Sequence, residues 1–142
     1  MSTFSGRGAG LGSAGGSGAS FASPAPASEA SGDPYSEFAR MSAHTGIPTV
    51  LGWANHEGLW RARIGTEDPE VAARLAAVKL FYTTTNPGLA AEILRRYNVT
   101  HVVVGDMERR TYGSNPAIAG FNFLYPVFAS EGTAVYAVAR PQ

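Results

Sequence analysis

The chain contains no cysteine and a single lysine, Lys79. Without thiols it forms no disulfide and no zinc–thiolate site, and its compartment stays open. An excess of charge of one sign is also missing: 11 basic residues offset 11 acidic ones, and no basic stripe runs along any segment. A nucleic-acid backbone is therefore not an expected partner. No apolar run approaches the roughly 18 residues that cross a bilayer, and none at the start has the form of a secretory leader.

What is present is unevenly placed. Residues 1–32 hold eight of the 17 glycines and almost no side chain able to build a core. A Gly/Ser/Ala/Pro tract buries too little surface to offset its ordering entropy, so it is expected to be a disordered tail. Residues 33–142 are then a single domain. Three helix starts share one grammar, a capping Asp or Asn followed by proline. These are Asp33-Pro34, leading to Gly46; Asp68-Pro69, with Val71, Leu75, Val78 and Tyr82 at helical spacing; and Asn86-Pro87, with Leu89, Ile93 and Leu94 inside. Asn98 suits a left-handed helix end.

Thr49–Leu51 is expected as a short buried strand, and "THVVVG" (Thr100–Gly105), apolar on both faces, as a central one. "DMERRTYGSNPAIAGF" is expected as a polar turn or short helix and then a loop. "YPVFASEGTAVYAVAR" reads as two strands turning at Glu131-Gly132. Strand, two helices and strand imply a right-handed parallel crossover. The expected fold is α/β, a small mixed sheet of about four strands with the C-terminal hairpin at one edge and helices packed on it.

Two motifs fail on context. "GLGSAG" (Gly10–Gly15) spells a dinucleotide fingerprint but has neither the strand before it nor the helix after it. "HEGLW" places Trp60 where a zinc-protease motif needs its second histidine, so the helical metal pair does not exist. No nucleophile elbow occurs. No metal, cofactor or catalytic residue is assigned.

The densest chemistry lies in "TVLGWANHEGLWRAR", Thr49 to Arg63, which carries both tryptophans. Two readings stand. In one, residues 54–62 are helical, Glu57 and Arg61 form an i,i+4 pair, and the indoles cover a sheet edge. In the other, the cluster follows the C-terminal end of a strand, where α/β sheets place ligands. Trp53 and Trp60 then stack on a sugar, Arg61 with Arg40 holds a phosphate, and His56 and Glu57 bind hydroxyls, with Tyr35 at the side.

The segments "YSEFARMSAHTGIPTVLGWANHEGLWR" and "FYTTTNPGLAAEILRRYNVTHVVVGDMERRTYG" resemble the C-terminal soluble part of the YYY-type polytopic membrane proteins, grouped with the GT-C glycosyltransferases. The likeness covers Tyr35 to about Gly113, and the final hairpin fits it. "WANHE" replaces the family's "WPGHE", which changes the turn. The resemblance implies an extracytoplasmic domain above membrane helices that this chain does not contain, with the catalytic acid in that membrane part. It implies two roles: assisting glycosyl transfer by binding a lipid-phosphate sugar, or docking, without catalysis, on the membrane helices or a partner subunit.

Overall fold

The computed structural model describes residues 27–28, 37–54, 57 and 68–139. Two helices form where capping and spacing place them. α2 (Pro69–Thr83) opens at Asp68, whose carboxylate accepts from the backbone N–H of Glu70 at 2.8 Å and of Val71 at 3.4 Å. α3 (Pro87–Arg96) opens at Asn86, whose side chain accepts from Gly88 and Leu89. Asn98, at φ 52°, reverses the chain after α3 as expected. The central strand β2 (His101–Val104) follows at once, with Val102 and Val103 buried.

The sheet is mixed, in the order β1-β2-β4-β3. β3 (Leu124–Ser130) and β4 (Thr133–Val138) form an antiparallel hairpin at one edge. Its two-residue turn has both φ values positive, 47° at Glu131 and 78° at Gly132. That left-handed pair matches the twist of the flanking strands. β4 pairs antiparallel with β2. The parallel neighbour of β2 is β1 (Ala27–Ser28), two residues from the tract expected to be without order. The remainder of that tract lies outside the described residues.

Cross-strand partners share a face. Val102 with Tyr136, and Leu124 with Val138, therefore point to one side. There they join Val78, Phe81, Tyr82, Ala90 and Leu94 from α2 and α3 in one core. The Tyr82 hydroxyl donates to the Val103 carbonyl at 2.8 Å, and its ring stacks on Tyr112, 5.0 Å away. α4 (Asp106–Tyr112) and a 3-10 turn (Pro116–Gly120) lead from β2 back to the hairpin.

Three expectations need correction. Thr49–Leu51 forms no strand of the sheet, although Val50 and Leu51 are buried. Side chains take up backbone groups here instead: Val50 O accepts from Arg74 at 3.1 Å, and the neighbouring Gly52 N donates to Glu57 at 3.3 Å. The parallel partner of β2 across these helices is β1, so the strand that precedes them in the sheet is Ala27–Ser28 and not Thr49–Leu51. The first helix, α1, spans only Arg40–Thr45, since Glu37 to Ala39 form a bend and turn. Ala39 is left-handed at φ 61°, which breaks a helical path; Gly46 ends α1 as expected. The start placed at Asp33 lies outside the described residues. Finally, Leu75 is 41% exposed and Phe81 takes its place in the core. Val78, Phe81 and Tyr82 are the residues of α2 that enter the core cluster.

Tyr82→Phe keeps the ring stack and removes the donor to a buried strand carbonyl. Urea unfolding is expected to show a loss of about 1–2 kcal/mol with unchanged m-value.

Candidate functional site

The Trp53 segment is built on a close approach of two backbones. Gly52 is buried, and a Cβ placed on it would stand 2.6 Å from the Ala39 Cβ and 3.3 Å from Thr49 Cγ2. Only glycine fits that contact. Beside it, the Trp53 indole N–H donates to the Phe38 carbonyl at 2.7 Å. These two contacts fasten residues 49–54 to the turn that precedes α1. Glu57 N–H donates to Trp53 O at 2.9 Å, the first bond of a helical turn, and the Glu57 carboxylate reaches back to Gly52 N. Arg74 anchors the segment from below: its guanidinium holds Val50 O and the Glu70 carboxylate, and lies 5.5 Å over the Tyr97 ring.

Arg40 ties this assembly to the end of β2. Its Nη2 donates to both Glu108 oxygens, at 3.1 and 2.9 Å. Glu108 is 1% exposed, and its Oε2 also accepts from Gly105 N at 2.7 Å. Gly105 ends β2 and caps α4, and Glu108 stands at the third position of that helix. This is the acidic half of a capping box. A Cβ on Gly105 would lie 3.0 Å from Thr133 Oγ1 and 3.4 Å from Arg40 Nη2, so the site is closed on this side as well.

The next turn of α4 reaches the hairpin. Arg109 donates to Asp106 at 2.7 Å and to the Gly132 carbonyl. The hydrogen bond from Arg109 and its charge hold the Asp106 carboxyl below its ordinary value of 3.8, with Arg110 adding to the effect against a small desolvation. Asp106 is exposed, so this pair adjusts the turn and contributes little to stability.

Of the seven residues that sequence reasoning placed in a ligand site, the structure locates three. Trp53 and Glu57 lie together on one segment, and Arg40 faces Glu108. Tyr35, His56, Trp60 and Arg61 lie outside the described residues. His44 and His101 are both exposed, the latter with Nδ1 3.1 Å from Thr100 Oγ1. Among the described residues, no three His, Asp or Glu side chains converge as a metal set. Sequence reasoning missed Glu108, which it placed in a polar turn or short helix without a role; the structure shows the helix. The signal was the spacing Gly105-x-x-Glu108 just after an apolar strand.

A half-open groove of about 630 Å³ opens at the opposite end of β2, between α3 and residues Phe123, Val138 and Ala139. Its floor is apolar, with Leu94 and Val99, and its rim carries Glu92 and Arg95. None of the residues placed in the site by sequence lines it. No family model, characterised protein or solved structure matches the chain. No helix among the described residues is long and apolar enough to cross a membrane.

Arg40→Ala would remove the guanidinium that pairs with the buried Glu108 carboxylate. A loss of about 3 kcal/mol is expected by chemical denaturation. Gly52→Ala should cost about 1–3 kcal/mol through overpacking against Ala39. Adding Ala39→Gly should recover part of that loss, giving a favourable coupling in the double-mutant cycle.

Proposed function

We propose that the chain is a non-catalytic accessory domain of a GT-C-like membrane protein, acting by docking on membrane helices or a partner subunit. The family part of this reading rests on the sequence resemblance alone. What supports docking over binding is the direction of the polar groups. The Trp53 indole N–H, the Arg40 guanidinium and the Glu57 carboxylate all make hydrogen bonds within the fold. A hydrogen bond already made inside the protein must be broken before the same group can hold a ligand. In this reading the segment is a structural element whose polar groups serve the fold rather than a ligand.

A second reading is favoured by exposure. Arg40 keeps 24% of its side chain accessible, and Trp53 is half-buried. In this reading the domain assists glycosyl transfer by contributing an indole face and a guanidinium edge to a lipid-phosphate sugar on the extracytoplasmic side. His56, Trp60, Arg61 and Tyr35 would complete that surface.

Titration with a sugar phosphate, followed by tryptophan emission and amide shifts, separates the two. The docking reading expects no saturable response at millimolar ligand. A saturable response that is lost in Trp53→Phe, with the fold intact by circular dichroism, would replace it with the binding reading.

A further inference from the structure

We infer that the outer face of the β3–β4 hairpin is a membrane-contact surface that rests on the interface of a lipid bilayer. From Thr111 to Ala139 the sequence carries one charged residue, Glu131, and that residue sits in the hairpin turn. The strands themselves are charge-free. β3 is the edge of the sheet, yet Tyr125, Val127 and Phe128 stand 56%, 58% and 53% exposed along it. The register explains why. Tyr125 is opposite Ala137, and Phe128 is opposite Val135, on the face opposite the core cluster, while Leu124, Tyr136 and Val138 face that core. Val127 falls at the irregularity between Pro126 and Phe128.

Exposed edge strands ordinarily carry charge that keeps other strands away. Here Pro126 lacks an N–H and the irregular register interrupts the ladder, so the edge resists strand addition by backbone means. Its side chains are therefore free to stay apolar, and a second copy pairing edge to edge is not the occupant they serve. Nor is the patch large enough for a stable protein partner. Three half-exposed side chains offer about 300 Å² against the roughly 800 Å² per partner of a specific interface.

A bilayer interface sets no such requirement. It accepts a tyrosine at headgroup level and aliphatic or phenyl groups just below, with no complementary shape. The surface is also held firm, because Arg109 fastens the turn to α4 through the Gly132 carbonyl. Arg110, next on that helix, is exposed and offers positive charge to anionic headgroups.

The test is sedimentation of the full chain with vesicles made of equal parts phosphatidylcholine and phosphatidylglycerol. The chain should pellet with the vesicles, and the double variant Tyr125→Ser/Phe128→Ser should partition at least about tenfold less. Circular dichroism should show both folded alike. In Phe128→Trp the new indole should shift its emission to the blue on vesicle addition and be quenched by brominated lipid. Wild-type protein left in the supernatant overturns the inference, as does equal pelleting of the double variant. A concentration-dependent dimer abolished by the double variant, without vesicle binding, overturns it in favour of a second copy. This proposal concerns the hairpin and not the Trp53 segment, so its failure leaves the docking reading to the sugar-phosphate titration.

Discussion

A carboxylate removed from water needs donors around it, and the packing of this protein is arranged about one such group. Glu108 sits where the central strand ends and α4 begins, held by Arg40 from α1 and by the Gly105 amide. Three pieces distant in sequence are fixed at that point. α4 takes its direction from the capping contact, and α1 is drawn to the end of β2. Gly105 stays small because Thr133 of the hairpin lies against it. What the ion pair adds is position, since Arg40 bonds both Glu108 oxygens and so ties α1 to the start of α4.

The Trp53 segment follows from this anchoring. With α1 held against β2, Ala39 is brought onto Gly52, and the two backbones approach more closely than any side chain at position 52 would allow. Ala39 accepts a left-handed conformation that alanine disfavours by about 1–2 kcal/mol. The surrounding contacts over-determine it: the indole bond to Phe38 O, the Ser42 hydroxyl on Ala39 O at 2.9 Å, and the Arg74 guanidinium on Val50 O. Strain of this kind persists because the surrounding contacts hold it.

The legible parts of the fold were those written in local chemistry. Asp68-Pro69, Asn86-Pro87, Asn98 and Glu131-Gly132 each have a stereochemical meaning that holds within a few residues, and each is observed. The β-branched run at Val102–Val104 marked a strand covered by neighbours on both sides. Thr49–Leu51 is also apolar and buried at Val50 and Leu51, but the Val50 carbonyl goes to Arg74 and the neighbouring Gly52 amide to Glu57, which no spacing announces. Leu75 failed for another reason: helical spacing gives a stripe but not which of its members the core takes, and Val71 and Val78 on either side of Leu75 are the buried ones. In the candidate site, the residue types of the Trp53 segment were conspicuous, whereas Glu108 was not. Its partner Arg40 is far away in the chain, and only a cap position pointed to it.

The short strand β1 has a consequence for the order in which the molecule assembles. The hairpin turn joins neighbours in sequence, so β3 and β4 meet at small entropic cost and early. Ala27–Ser28 must find His101–Val102 across most of the chain, and two residues of ladder return little for that long closure. β1 is therefore the pairing expected to form last. While it is unmade, β2 is an edge, and its outer margin offers unpaired backbone groups to a foreign strand on the side of the sheet opposite β3.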